Sequence, residues 1–524
     1  MKIFDIKNRI KQSLSIGLTV MFGFSCTNLD ETLYSQVTQD NFFKTDEERV
    51  TALAAAYTVL YFWGSHNGYF SYQEVTTDEM AIPVKGNDWL DGNQWVFAHR
   101  HTMTPQGEGL NNMWNDLFRG VNTCNRLIKQ FEAIPDSGPT IAEVKTLRAF
   151  YYYLLMDNFG GVPLVTSFDN AEPNPVRASR TEVYNFVISE LQTNVPLLSQ
   201  EKNQATYARF NYWAGRTLQA RILLNSGIYL GTSTPATAAL DAVISACDEV
   251  INSGKFSLEP NFFSNFTSTN GGPGAAEFIL AVPYDEKFAG GFNIHQMTLH
   301  YESQKTYNLV DQPWNGYTTL QSFYNSFDPA DVRRNSIITG PQFSSSGVRL
   351  RDTGAEPSDP DGQDLTFTPA VNELTPNALR QAGGRVGKFQ FKLGARNTLD
   401  NDFPIYRYAE VLLMKAEALW RKSNNPTDAA ALTLVNQVRA RAFDPDQPLN
   451  SLGSLGDAYP GPALLQELGR EFFAEAKRRQ DLIRFGKFGA AWDFKDASAA
   501  TKTIFPIPAP QRVANPNLDQ NPGY

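Results

Sequence analysis

Apolar residues recur at three- and four-residue spacing over three regions of the chain, the mark of helices that bury one face. In the first region, 46–64 and 108–255, the spacing predicts helices at 47–63, 110–131, 141–159, 180–198, 207–230 and 237–251. Thr45-Asp46 supplies an N-cap with acidic residues in the turn that follows. Gly160-Gly161-Val162-Pro163 and Ser253-Gly254 stop two of the others. The second region, 404–442, places Ile405, Tyr408, Ala409, Leu412, Ala416, Leu419 and Trp420 on one stripe. Asn424-Asn425-Pro426 then turns the chain into a helix at 429–442. The third, 461–488, has a helical pattern but is dense in charge. Residues 65–107 and 256–403 break the period and are rich in Gly, Pro, Asn, Asp and aromatics, with strand-like runs at 278–282 and 388–391. Long irregular stretches of this kind are usually functional or disordered.

A weak internal repeat runs through the helices. Leu147-Arg148-Ala149, Leu218-Gln219-Ala220 and Met414-Lys415-Ala416 put a small residue at one position of an otherwise apolar pattern. Ala there lets two helices of a hairpin approach closely, as tetratricopeptide-type pairs require. The expected fold is therefore mainly α: a tetratricopeptide-like repeat of about four helix pairs, with long loop-rich insertions and few short strands.

The N-terminus carries Lys2, Lys7, Arg9 and Lys11, then an apolar run over 14–24, then Ser25-Cys26 and the acidic Asp30-Glu31. This reads as a cleaved signal over 1–25 with Cys26 placed for acylation, as in a bacterial lipoprotein. A plain secretory signal with an incidental Cys is the alternative, because Gly23-Phe24-Ser25-Cys26 lacks the usual Leu three residues before the Cys. The run is too short to span a bilayer, which takes about 20 apolar residues. Beyond residue 25 the chain has 42 basic and 54 acidic residues. That balance offers nothing to a polyanion, so nucleic acid is not an expected partner. Cys124 and Cys247 fall within apolar helical patterns and read as core residues.

Catalytic and metal motifs are nearly missing. Gly383-Gly384-Arg385-Val386-Gly387-Lys388 has the wrong spacing for a phosphate loop, and Phe389 stands where Ser or Thr is required. His99 and His101 form the one close histidine pair, without an acidic or Cys partner at ligand spacing, and read as surface residues. No metal or cofactor is expected. Asp78-Glu79 is a candidate acid pair for glycoside hydrolysis, but adjacent residues of a strand face opposite ways. Hydrogen bonding to a sugar or to backbone is the simpler role.

Aromatics stand in polar loops instead. Trp89-Leu90-Asp91-Gly92-Asn93-Gln94-Trp95 holds two indoles, and Trp314-Asn315-Gly316-Tyr317 repeats the theme. The C–H face of a pyranose is apolar and its hydroxyl rim seeks amides and carboxylates, so flat rings among Asn and Asp suit both. The expected ligand-binding residues are Trp89, Trp95, Trp314 and Tyr317, with Asp78 and Asn93 as polar contacts and Tyr301 and Tyr284 as further candidates.

The C-terminal quarter carries a family resemblance. Residues 404–418, the Glu467-Leu468-Gly469-Arg470-Glu471-Phe472-Phe473 run, Arg478-Arg479-Gln480-Asp481-Leu482 and the closing Gln520-Asn521-Pro522-Gly523-Tyr524 resemble the SusD/RagB family. Asn41-Phe42-Phe43, Thr77-Asp78-Glu79 and Asn158-Phe159-Gly160-Gly161 are similar as well. The resemblance implies an outer-membrane lipoprotein on the extracellular face, anchored through Cys26. It also implies that the protein binds glycan, or sometimes peptide, and serves as lid to a SusC-like TonB-dependent barrel. It is not expected to be an enzyme; a secreted glycoside hydrolase on a helical scaffold is the competing reading. The implied organisation is a signal at 1–25, a tether at 26–45 and one SusD-like domain at 46–524. Within it, repeats lie at 46–64, 108–255 and 404–442, insertions at 65–107 and 256–403, and a C-terminal helix and tail at 461–524. Glu475 with Arg479, and Asp481 with Arg484, are spaced to pair along that last helix, and the Pro-rich tail should lie extended over the surface.

Overall fold

The computed structural model describes residues 45–86, 88–169, 172–353 and 362–524. The signal, Cys26, the tether to residue 44 and the Asn41-Phe42-Phe43 motif lie outside the described residues. Two compact units are distinguished, Met1–Arg49 and Val50–Tyr524. In the first, Thr45 and Glu48 form a reciprocal capping box: the Thr45 amide donates to Glu48 Oε2 at 3.0 Å, and Thr45 Oγ1 accepts from the Glu48 amide at 3.2 Å. Two orphan donors are thereby satisfied where helix α1 (Asp46–Tyr57) begins.

The second unit contains α2 (Tyr69–Val75), α3 (Gln94–His99), α4 (Glu108–Glu132), α5 (Gly138–Phe159), α6 (Arg180–Asn194), α7 (Tyr212–Leu224) and α8 (Thr237–Asn252). After the long insertion come α9 (Tyr408–Ser423), α10 (Ala429–Ala440), α11 (Ala463–Phe472) and α12 (Arg478–Arg484). Successive helices pack on one another, α4 on α5, α5 on α6, α7 on α8 and α9 on α10, while α8 meets α9 across the whole insertion. The fold is thus mainly α, a helical-repeat scaffold. Ala149, Ala220 and Ala416 are each fully buried where the repeat placed small residues. Gly120 serves the same need in α4, since a Cβ there would sit 2.6 Å from the Tyr151 ring of α5. Both cysteines are buried and free.

Sheet structure is minimal. Strand β1 (Met80–Ala81) pairs antiparallel with β3 (Thr318–Thr319), and β2 (Phe278–Val282) with β4 (Phe403–Arg407). The second ladder corrects the expected helix over 404–407: Ile405 lies on a strand, and the helix starts at Tyr408. The run at 388–391 forms no strand; Lys388 is buried and donates to Glu475 at 2.6 Å.

The charged segment 461–488 is two helices, not one. Ala474 and Ala476 hold φ of 59° and 58° between α11 and α12, a left-handed backbone that ends a helix. Its charges face inward. Glu475 accepts two bonds from Arg407 at 2.7 and 2.8 Å, and Arg407 also reaches Glu277 and Glu471 at 3.0 and 3.1 Å. Arg333 bonds Asp331 at 2.8 Å and Glu467 at 2.7 Å. The expected Glu475–Arg479 pair does not form, because the break turns Arg479 toward Asp157 at 3.0 Å. Asp481 and Arg484 do pair, at 2.7 Å. The tail is likewise drawn in: Phe505 and Ile507 are fully buried, and Asn521 donates to the carbonyls of Phe159 and Phe505 at 2.9 and 2.6 Å.

Candidate functional site: an aromatic ledge on two inserted loops

Helix α2 is docked onto the α11–α12 break, where the Ala476 amide donates to Glu74 Oε1 at 2.6 Å. Two residues beyond, Arg478 grips Asp78 through Nε and Nη2 at 2.7 and 2.8 Å. The chain then enters β1, whose pairing with β3 sets residues 88–93 beside the loop at 311–317. Lys85 fastens them, donating from Nζ to the carbonyls of Asn315 and Gly316 at 2.7 and 2.9 Å. Arg385 holds the same turn through Asn315 Oδ1 at 2.9 Å. Both cations are buried among carbonyls rather than carboxylates, and burial lowers the pKa of each, that of Arg385 to about 9.

The two loops bring Trp89 and Trp314 together. Their ring centres are 6.4 Å apart at 50°, and the Trp89 Nε1–H donates to the Trp314 carbonyl at 2.6 Å. Both rings are half-buried. His66, exposed, completes the cluster, 4.9 Å from Trp314 and 6.2 Å from Trp89. Desolvation of the imidazole where it packs against the two indoles lowers its pKa, which the carboxylates of Asp91 and Glu108 only partly oppose. The ring is therefore neutral near pH 7.

The backbone under the ledge is unusual. Trp89, Asp91, Gly92 and Asn93 have φ of 62°, 35°, 60° and 62°. Bulky residues rarely adopt this region, and such strain collects at functional sites. Gly316 leaves room for the Trp89 indole, which a Cβ there would overlap. Against Asp91 and Gly92 opens a cavity of about 310 Å³, walled also by Gln94, Phe97, Thr104 and Glu108.

Of the residues expected to bind ligand, Trp89 and Trp314 form the ledge and Tyr301 borders it. Tyr301 donates its hydroxyl to Asp88, the neighbour of Trp89, and Arg380 stands over its ring at 5.7 Å. Trp95, Tyr317, Tyr284 and Asp78 are corrected by burial. Trp95 is 1 % exposed and donates to Asp91 Oδ2 at 2.9 Å, so it pins the loop from below. Tyr317 is 0 % exposed, edge-on beneath Trp89 at 5.7 Å. Tyr284 is buried against Phe292, its hydroxyl accepting from the Gly64 amide at 2.8 Å. Asp78 is 3 % exposed and held by Arg478, whereas Asn93 is half-buried, with its side-chain oxygen turned inward. Trp95, Tyr317, Tyr284 and Asp78 offer a sugar no surface as placed.

His66 was missed because a lone histidine carries no pattern; its meeting with Trp314 is purely tertiary. His99 and His101 are interior rather than surface residues, bonded to the carbonyls of Val75 and Thr76 at 3.1 and 2.9 Å. Burial drives the His101 pKa down to about 2. No group of three or more potential metal ligands occurs among the described residues.

A stack of paired helices with aromatic rings raised on inserted loops defines a helical-repeat protein built to present a ledge. Residues 28–224 match the family described as starch-binding associating with outer membrane, and residues 390–524 match the SusD family. Over 507 residues the chain is 26 % identical to the starch-binding protein SusD of Bacteroides thetaiotaomicron, spanning 88 % of this chain and 86 % of that one. Two solved structures share the fold. Surface glycan-binding protein A of B. thetaiotaomicron, in complex with laminarihexaose, gives a TM-score of 0.70 at 20 % identity over 91 % of this chain and 99 % of that one. A SusD superfamily protein of Parabacteroides distasonis gives 0.71 at 22 % over 93 % and 100 %. The chain belongs to the SusD/RagB family.

Proposed function

We propose that this protein captures oligosaccharide at the cell surface on the Trp89–Trp314 ledge and passes it to a SusC-like TonB-dependent barrel, over which it acts as a lid. The supporting observation is the ledge itself: two indoles held half-exposed by a strained backbone and by buried Lys85 and Arg385, with Tyr301 and His66 at its border. Rings fixed in advance lose little freedom on binding, which favours stacking on the C–H faces of sugars. The relatives named for starch and laminarihexaose support a glycan as ligand. The organisation that goes with this reading is a signal removed before Cys26, acylation of that residue, a tether to 45 and a SusD-like domain over 46–524 on the extracellular face of the outer membrane.

The protein binds rather than cleaves. The acid that a hydrolase would use, Asp78, is clamped by Arg478, and Glu79 is buried behind it. Incubating the chain from residue 26 onward with an oligosaccharide panel tests this: saturable binding without products is expected, and turnover would contradict it. In cells, replacing Cys26 with Ser should release the protein from the outer membrane and slow glycan import; unchanged anchoring would contradict the lipid attachment.

A further inference from the structure

A second groove, of about 620 Å³, lies away from the ledge between α4, the segment formed by residues 163–168 and 172–175, and the C-terminal 511–518 stretch. Along α4 the sequence sets two stripes into it. The aromatic one is Phe118, half-buried, backed one turn earlier by Trp114, which is 4 % exposed, the two ring centres 4.8 Å apart. Asn115, Arg119, Asn122 and Arg126, at successive steps of four, three and four, form a polar one. At 1.5 Å per residue that stripe runs about 16 Å. Across the groove stands Phe168, 52 % exposed. Arg119 bonds Asp116 at 2.8 Å, whereas Asn122 and Arg126 are exposed and make no side-chain bond among the described residues.

The walls are fixed. Asn515 donates to the Pro175 carbonyl at 2.9 Å and Asn517 to the Asn174 carbonyl at 2.7 Å, tying the tail to the segment. Asn125 and Arg148 take up the carbonyls of Val165 and Thr166 at 2.8 and 2.9 Å. Those bonds occupy the backbone acceptors that a bound peptide would use, and the prolines at 163, 173 and 175 supply no amide. What the groove offers is the exposed Phe168 ring facing the half-buried Phe118 ring, with side-chain amide and guanidinium donors along α4. That is the chemistry of an extended saccharide, with C–H faces and a hydroxyl rim.

We infer that this groove is a second oligosaccharide site. The inference rests on the glycan reading of the ledge and extends it: Glu108, at the start of α4, walls the cavity beside the ledge, and Asn122 lies 14 residues on, about 21 Å along the same helix. A polysaccharide that engaged both sites would gain avidity over either alone.

Calorimetry tests this with laminarihexaose, maltohexaose and cellohexaose, then with the polysaccharide of whichever binds. The wild type is expected to take two hexasaccharides per chain, and one in either W89A/W314A or F168A/R126A. For the polysaccharide, apparent affinity should fall at least tenfold in each double variant. Phe168 and Arg126 are exposed, and an unchanged melting temperature confirms that the second variant is folded. One site in the wild type, with F168A/R126A binding like it and W89A/W314A silent, overturns the groove and leaves the ledge standing. Binding of none of the three overturns both, and a proline-rich peptide that occupies the groove while the sugars do not overturns the groove alone.

Discussion

Trp89 donates its indole N–H to the backbone carbonyl of Trp314 at 2.6 Å, so a residue 225 positions further along the chain holds the Trp89 ring in place. The ledge is therefore one object built from two loops. Its position depends on Lys85, Arg385 and the β1–β3 pairing beneath it rather than on either loop alone.

Gly316 makes this geometry possible. In G316V the new side chain occupies the space of the Trp89 indole. Overpacking of this kind costs about 1–3 kcal/mol. The expected outcome is a lower melting temperature with native far-UV circular dichroism, together with saccharide affinity reduced at least tenfold. Wild-type affinity would show that the Trp89 ring position does not matter.

Asp78 acts at a distance. D78A leaves Arg478 buried without its carboxylate, and removal of one partner from such a pair costs about 3–5 kcal/mol. Urea denaturation should show that loss. D78A protein that remains folded should still bind saccharide, because the carboxylate does not face the ledge.

Two buried glutamates should shape stability against pH with opposite signs. Arg407 and Lys388 hold the Glu475 carboxyl down at about 2, against the opposing effect of burial. Its stabilisation is full above the ordinary carboxylate range and is lost as pH falls from about 4.5 toward 2, on the order of 3 kcal/mol. Burial instead raises Glu74 to about 7. Its contribution is full below about pH 4.5 and is lost as pH rises through 7. E74Q, which keeps an acceptor for the Ala476 amide, should flatten the decline between pH 4.5 and 7 and leave the acid limb intact. Melting temperatures across pH 2–8 check both limbs.

Much of the scaffold is legible in the sequence, because three- and four-residue spacing maps directly onto buried helix faces; Ala149, Ala220 and Ala416 are plain cases. The breaks are not legible. Ala474 and Ala476 carry no turn signal, yet both adopt positive φ, because the charged groups on either side are claimed by Arg407, Lys388 and Asp157 from distant segments. The same limit governs the ledge. Trp89 and Trp95 are six residues apart with similar neighbours, and only the fold decides that the first stands on a loop facing out while the second enters α3 and turns under to Asp91. Asp78 looks like a polar contact until Arg478, 400 residues later, arrives beside it.

The central claim is that the Trp89–Trp314 ledge captures glycan. Titrating the single variants W89A and W314A with the oligosaccharide that the wild type binds best is the most direct measurement. Each ring removed should lower ledge affinity by about 2 kcal/mol, roughly thirtyfold, with the melting temperature held within a few degrees. Wild-type affinity in both variants would contradict the account.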